Sequence, residues 1–428
     1  MAKKARPRSL AAVKALEKTL GLIPMKEGKD ELPAVSTGNP LIDYGFGGFQ
    51  CSGLPRGHII ELYGPESCGK STLAAQIAID CLRKGGTVVY NDYEHTMRHQ
   101  YVRTLGMDFD DDNFFLYQPE YFEQGAHIAG QFLAAGVDLI IYDSLAAMVP
   151  RKILESDNII DKDDRLGLHA ALTGRFCKLL NYWNTKYGKQ TAVLFLNQMR
   201  TGINLTAGGG NSAFETTTGG KALRHYASIR MSMKVIGKEL KEFVDPLEKT
   251  NKKIPLNMKV RFICVKNKVT AQQGSSVVAM MRFGEGFDKS RTVLDLAQLH
   301  ELVVKSGSWY SYKTATGEEL MKVQGIEQVR TFMQDNEAVY LEIEKSLMTL
   351  VEKLSKTQMQ VSDSDLKRIE AKGAGTDDDD EEDDLYITDE DRAKFAKNED
   401  MDDMPGVDGK VAKDEEDPDL LPVDEEQT

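Results

Sequence analysis

The sequence has few of the features that mark a secreted or membrane-bound protein. Its five cysteines, Cys51, Cys68, Cys81, Cys177 and Cys264, form no C-x-x-C pair, and an odd number argues against a disulfide framework, so reduced thiols are expected. No window of 18 or more apolar residues occurs, which excludes a hydrophobic membrane-spanning helix. The basic start, Met1-Ala2-Lys3-Lys4-Ala5-Arg6-Pro7-Arg8, has no apolar core behind it and does not read as a secretory leader. A soluble intracellular protein is the expectation. No repeat of fixed period is present.

At 428 residues the chain is long enough for two or three domains and a large buried core. The net charge of −13 is unevenly spread. Asp377 to Thr428 carries 24 acidic and 5 basic residues, whereas Met1 to Thr376 carries 43 acidic and 49 basic. The body is therefore mildly basic. A block such as Asp377-Asp378-Asp379-Asp380-Glu381-Glu382-Asp383-Asp384 cannot bury enough apolar surface to fold, and residues 357–428 read as a disordered acidic tail. Two roles stand open for it: solubility, or a tethered polyanion that competes with nucleic acid for a basic surface.

What is present is a phosphate-binding loop. Gly64-Pro65-Glu66-Ser67-Cys68-Gly69-Lys70-Ser71 fits G-x-x-x-x-G-K-[ST] at every defined position. Glycines let consecutive backbone N–H groups curl round a phosphate, and the following helix adds its positive N-terminal end. Lys70 is expected to reach the β/γ-phosphates and the Ser71 hydroxyl to ligate Mg²⁺. The context agrees: His58 to Tyr63 has the pattern of a buried strand, and Thr72 to Arg83 carries Leu73, Ile77, Ile79 and Leu82 at helical spacing. Cys68 sits inside the loop, where an alkylating reagent is expected to block nucleotide entry.

Along the chain, Ser9 to Leu22 forms a short amphipathic helix suited to an arm that packs on another surface. Ser36-Thr37-Gly38-Asn39-Pro40 opens a helix, and Gly45, Gly47, Gly48 and Gly53 form a turn-rich approach to the first strand. Apolar runs at Thr87–Asp92, Leu139–Ser144 and Thr191–Gln198 alternate with helical stretches near Gln100–Leu105, Gln124–Ala135 and Leu166–Tyr187. That alternation implies a mostly parallel sheet covered on both faces, with ligands at the carboxyl ends of the strands. Two segments have the composition of mobile loops, charged Pro150–Asp164 and glycine- and threonine-rich Thr201–Gly220. Further strands at Ala227–Val235, Met258–Val265 and Val277–Phe283 add antiparallel partners. Arg291 to Leu354 reads as helical with a short Trp309-Tyr310-Ser311-Tyr312 interruption, a small α+β domain.

Several residues at strand ends carry chemistry. Asp143 closes four apolar residues and presents a carboxylate towards the Mg²⁺ shell. Glu94, just past Asp92, is the candidate to position and deprotonate the attacking water. Asn197 and Gln198 can hydrogen-bond a γ-phosphate and report it to the loop that follows. In Lys266-Asn267-Lys268 both lysines lie on one strand face, either as solvated edge residues or as a pair of cations donated to a phosphate.

As a set these residues resemble the RecA family of DNA recombinases, over about Ser36 to Asn336. The strings that carry the likeness are Ser36-Thr37-Gly38, Gly64-Pro65-Glu66-Ser67 with Gly69-Lys70, Glu94-His95, Leu139 to Ser144, Asn197-Gln198 with Arg200, Glu215 to Gly220, Tyr226-Ala227-Ser228, Val265 to Lys268, Gly284-Glu285-Gly286 and Trp309 to Tyr312.

The resemblance implies an α/β fold: a RecA-type P-loop ATPase core over 35–270, an N-terminal helical arm and linker over 1–34, a small α+β C-terminal domain over 271–356 and the acidic tail over 357–428. It implies that ATP and Mg²⁺ are held by Gly64, Pro65, Glu66, Ser67, Cys68, Gly69, Lys70, Ser71, Thr72 and Asp143, with Tyr101 stacked on the adenine. Glu94 would activate water, Gln198 would sense the γ-phosphate, and Lys266 and Lys268 would come from the adjacent subunit. The loops 150–164 and 201–218 would bind DNA, with Arg175, Arg200, Phe214, Thr216, Thr217, Thr218, Gly219 and Gly220 as contacts.

The chain also departs from the family pattern. His225 stands where an aromatic relay is usual, Arg98 replaces an acid near the base, the second loop contains Gly208-Gly209-Gly210, and Phe214 directly precedes Glu215. These mark a divergent bacterial or bacteriophage member, cytoplasmic and nucleoid-associated or in a host's cytoplasm. The resulting expectation is an ATP-dependent recombinase that forms helical filaments on single-stranded DNA, pairs it with duplex DNA and exchanges strands. The alternatives are another RecA-fold motor such as a ring helicase, which would show rings and unwinding, or a DNA-binding scaffold without hydrolysis.

Overall fold

The computed structural model describes residues 32–107, 112–155, 163–188, 190–204, 212–244 and 249–359, with side chains at 163–166, 200–204, 212–216 and 355–359 excepted. The arm helix expected at Ser9–Leu22, the middle of both expected loops and the tail beyond 359 lie outside these residues.

A short antiparallel pair, β1 (Ala34–Val35) and β2 (Leu54–Pro55), flanks helix α1 (Pro40–Gly47). The Asn39 side chain accepts from the backbone N–H groups of Leu41 and Ile42, and Pro40 occupies the first turn, where a missing N–H costs nothing. Gly45 and Gly47 lie inside this helix, not in a turn as expected. Gly47 is there for close packing, since a Cβ on it would come within 2.6 Å of the Cys51 Cβ.

The large sheet begins with β3 (Ile59–Gly64), followed by α2 (Lys70–Arg83), β4 (Val88–Asp92), α3 (His99–Thr104), β5 (Phe114–Tyr117), α4 (Phe122–Ala134) and β6 (Leu139–Asp143). Then come α5 (Arg151–Leu154), α6 (Asp163–Lys186), β7 (Ala192–Asn204), β8 (Ser212–Thr217), α7 (Gly220–Tyr226), β9 (Ile229–Val244), β10 (Asn251–Asn267), β11 (Ser276–Arg282) and β12 (Gly286–Phe287). Among the described residues the spatial order is β12-β11-β10-β9-β3-β7-β6-β4-β5, with β8 paired to β7. From β9 to β5 the pairs are parallel, while β10, β11 and β12 add on antiparallel.

All residues of β3, β4 and β6 are buried, because helices cover both faces. On one side Ile60, Leu62, Ile141 and Leu194 pack with Leu73 and Ile77 of α2. On the other Ile59, Ile140, Tyr142 and Phe195 pack with Phe122 of α4 and with Phe176 and Leu180 of α6. This arrangement aligns the carboxyl ends of β3, β4, β6 and β7 along one edge.

Two expectations need correction. The second loop is largely strand: β7 continues past Thr201, and β8 pairs with it from Met199↔Thr217 to Asn204↔Ser212. The boundary at residue 270 cuts through the sheet, because β10 and β11 are neighbours from Asn257↔Arg282 to Ile263↔Ser276. Beyond β12, α8 (Lys289–Leu299), β13 (Val303–Ser306), β14 (Trp309–Lys313), β15 (Glu319–Gln324), α9 (Ile326–Asp335) and α10 (Glu337–Met359) share their own core of Val293, Tyr310, Tyr312, Met321, Val329 and Ile343. The expected Trp309–Tyr312 interruption is the middle strand of a three-stranded antiparallel sheet.

Candidate nucleotide site

The phosphate loop leaves β3 where no side chain would fit. A Cβ on Gly64 would lie 2.4 Å from the Met233 carbonyl oxygen. Gly69 has a φ of +92°, left-handed backbone that favours glycine, and so turns the chain into α2. The Lys70 ammonium donates to the carbonyls of Gly64 at 3.0 Å and Pro65 at 2.7 Å. The cation thus lies against the glycine loop at the N-terminus of a helix, the chemistry of a polyphosphate cradle. Cys68 differs from its expected role. Its thiol is fully buried in the core under α2, and burial pushes its pKa up, so the alkylation-prone thiolate is disfavoured.

Asp143 ends β6 beside β4, in register with Asp92. Its carboxylate accepts from Tyr90 Oη at 2.6 Å and is hydrogen-bonded by the Ser71 hydroxyl. Desolvation pushes its pKa up to about 6 in spite of these bonds, with Glu94 and Asp92 adding repulsion. Among the described residues no group of three or more His, Cys, Asp or Glu side chains is arranged to hold a metal unaided. A hydroxyl joined to a buried carboxylate beside a phosphate cradle fits Mg²⁺, which takes few protein ligands and fills its shell with phosphate and water.

Glu94 is held on a turn built by Asp92. The fully buried Asp92 carboxylate accepts from the backbone N–H groups of Thr96 and Met97 at 3.2 and 3.1 Å and from Gln118 at 3.2 Å. On that turn Glu94 Oε1 accepts from Ser144 Oγ at 2.5 Å and from Gln198 Nε2 at 3.3 Å. The fold therefore joins Glu94 and Gln198, which lie 104 residues apart, and adds Ser144 and Tyr90. Neither role was read from sequence. The signal for Ser144 was its place directly after Asp143, whereas a buried tyrosine inside a strand gives none.

Tyr101, 40% exposed on α3, shares a 2.7 Å hydrogen bond with the Thr72 hydroxyl at the start of α2, so an exposed ring flanks the cradle. Pro65 is half-buried, and Glu66, Ser67 and Ser71 are exposed on the loop. Asn197 departs from its expected contact with a γ-phosphate. It is fully buried, and its Nδ2 donates to Glu61 Oε1 and to the Thr218 carbonyl, both at 2.8 Å.

Lys266 and Lys268 are not near their own loop. They lie at the end of β10, which β9 separates from β3. The Lys266 ammonium donates to the Arg224 and His225 carbonyls at 2.5 and 3.1 Å, and Lys268 donates to His225 at 3.1 Å. Both cations therefore cap the C-terminal end of α7, where the helix dipole favours them. Burial and the neighbouring Lys268 push the Lys266 pKa down to about 8. Asn267 points the other way and bonds the Phe46 carbonyl.

Of the expected DNA contacts, Arg175 is exposed on α6, and Arg200, Phe214 and Thr216 lie on the β7–β8 hairpin, their side chains outside the described set. Thr217 and Gly219 are buried and so face the protein, contrary to expectation. A Cβ on Gly219, at φ +92°, would meet Leu145 Cδ2 at 2.7 Å, so this glycine serves the turn into α7. Thr218 is half-buried and Gly220 is exposed. No helix among the described residues is long and apolar enough to cross a membrane.

A glycine loop at the carboxyl edge of a mostly parallel sheet, with Asp143 bonded to the loop's Ser71 and Glu94 on the neighbouring strand end, defines a nucleotide-binding protein of the P-loop class. The family model for the RecA N-terminal domain matches residues 9–288, and that for the RecA C-terminal domain matches residues 291–352. Among curated proteins, "Protein RecA" of Paramagnetospirillum magneticum is 38% identical over 346 residues, covering 79% of this chain and 87% of that one. "Protein RecA" of Corynebacterium aurimucosum is 36% identical over 342 residues (79% and 83%), and that of Leptospira biflexa 35% over 366 residues (84% and 87%). The chain belongs to the RecA family of DNA recombinases.

Proposed function

We propose that this protein is a DNA-dependent ATPase that assembles as a helical filament on single-stranded DNA, pairs it with homologous duplex DNA and exchanges strands. The ATP lies between subunits. One subunit supplies Gly64 to Ser71, Asp143, Glu94 and Gln198, and the next supplies Lys266 and Lys268. The observation that carries this reading is that both lysines stand two strands, roughly 10 Å, to the side of the strand that leads into their own loop. A cation pair set to the side of its own cradle, with Lys266 half-buried and Lys268 exposed, suits a neighbour's.

In this reading Lys70 and the loop N–H groups hold the β- and γ-phosphates. Ser71 and Asp143 would hold Mg²⁺, which would supply charge neutralisation. Glu94, its carboxylate oriented by Ser144 and Gln198, takes a proton from the attacking water. Lys266 and Lys268 meet charge that develops on the transferred group, as an arginine finger does. DNA binding is mostly to the backbone and weakens with salt, because homology is read by base pairing and not by side chains.

Negative-stain images with single-stranded DNA and a non-hydrolysable ATP analogue test the reading. Continuous filaments are expected. Discrete rings would favour the helicase alternative, and isolated particles with background ATPase activity the scaffold.

A further inference from the structure

The sheet face that looks towards α6 and α7 carries a buried ion pair outside the nucleotide site. Glu61 on β3 is fully buried, and its Oε2 accepts from Arg230 Nε on β9 at 2.5 Å. Its other oxygen accepts from Asn197 Nδ2, which also donates to the Thr218 carbonyl. Asn197 Oδ1 accepts from the Gln198 backbone N–H at 2.9 Å. Both donors and the acceptor of this amide are therefore committed. Turning it over would set its oxygen against the Glu61 carboxylate and the Thr218 carbonyl, so Glu61 fixes its orientation.

The pair is not explained by stability alone. Apolar side chains of similar volume often replace a buried ion pair without loss. Here Arg230 Nη2 is buried with no acceptor among the described residues, a cost left standing. The guanidinium lies 4.7 Å from the centre of the Tyr63 ring, beside Gly64. Arg230 also pairs in register with Lys266 on β10. The pair thus joins the strand into the phosphate loop to the residue before Gln198 and, through Asn197, to the carbonyl before the Gly219-Gly220 turn into α7.

We propose that Glu61, held by Arg230, is a positioning residue that couples nucleotide sensing to DNA binding. Displacement of Gln198 towards a γ-phosphate carries Asn197 with it, and Asn197 must then either carry the Thr218 carbonyl along or release it. The β7–β8 hairpin and α7 respond to the nucleotide through this link. The inference rests on the function proposed above.

The test uses the full chain, with single-stranded oligo-dT binding measured by anisotropy in ADP and in a non-hydrolysable ATP analogue, alongside ATPase rates with and without DNA. The double variant Glu61→Leu/Arg230→Met removes both charges together. Its melting midpoint and its KM for ATP without DNA should stay close to the parent's. DNA stimulation should fall about tenfold or more, and the affinity ratio between the two nucleotides should approach one. Asn197→Ala cuts the link with the ion pair intact and should also lose the ratio. Should the double variant not fold, Asn197→Ala decides. Stimulation and ratio within about twofold of the parent in either folded variant would overturn the inference. A parent whose DNA affinity ignores nucleotide would instead remove the function on which the inference rests.

Discussion

Gln198 Nε2 donates to Glu94 Oε1 across 3.3 Å, so the amide that would read a γ-phosphate is held by the carboxylate that would activate water. One group cannot move fully onto phosphate without changing the orientation of the other. Glu94→Gln keeps the hydrogen-bond geometry and removes the base. DNA-stimulated ATPase activity should fall by about 10²- to 10⁴-fold, with filaments still formed in ATP. A steady-state rate within tenfold of the parent would move the role of base elsewhere.

Asp143 and Asp43 are both buried acids pushed up to about 6 by desolvation, from 3.8. The folded protein therefore takes up a proton on each as pH falls through about 6, before the unfolded chain does. Through these groups the ligand-free protein gains stability between pH 6 and about 4, opposite in sign to a salt-bridged carboxylate. Asp143→Asn should raise the ligand-free melting midpoint at pH 8, by on the order of 2 kcal/mol of stability, while abolishing hydrolysis. Calorimetry with and without Mg²⁺ and ATP checks both halves.

In the single ligand-free subunit, burial and the neighbouring Lys268 push the Lys266 ammonium down to about 8, from 10.5. A lysine that must neutralise phosphate works only when charged. DNA-stimulated activity in the parent should fall as pH rises from 8 to 10, and Lys266→Arg should flatten that fall, since arginine stays protonated throughout. Identical pH profiles would remove Lys266 from the reaction.

Cys68 is buried with a raised pKa, although it lies inside the phosphate loop. Iodoacetamide should label it slowly at pH 7, and saturating ADP should change that rate little. Rapid labelling blocked by ADP would show the thiol on the nucleotide side.

The parallel sheet and the phosphate loop were legible because their signals are local: apolar runs ending in Asp92, Asp143 or Gln198, and a loop whose spacing is its mechanism. The pairing of Glu94 with Gln198 was not, since two strand ends 104 residues apart meet only through sheet order. The β7–β8 hairpin was hidden by its glycines and threonines, which read as loop although backbone pairing to β7 holds the strand. Strands β13 to β15 were lost among helical spacings, and only Trp309 to Tyr312 broke the pattern. Asn197 looked like a phosphate contact because it adjoins Gln198. Alternation along the strand turns its side chain to the opposite face, onto Glu61.

The central claim is that the phosphate loop of one subunit is completed by Lys268 of the next, and mixing two inactive variants tests it most directly. Lys70→Ala spoils the cradle, and Lys268→Ala spoils the donated cation. Each alone should lack DNA-stimulated hydrolysis. An equal mixture on single-stranded DNA should recover about a quarter of the parent rate, because that share of random head-to-tail interfaces joins an intact loop to an intact lysine. A mixture as inactive as its two components would contradict a site shared between subunits.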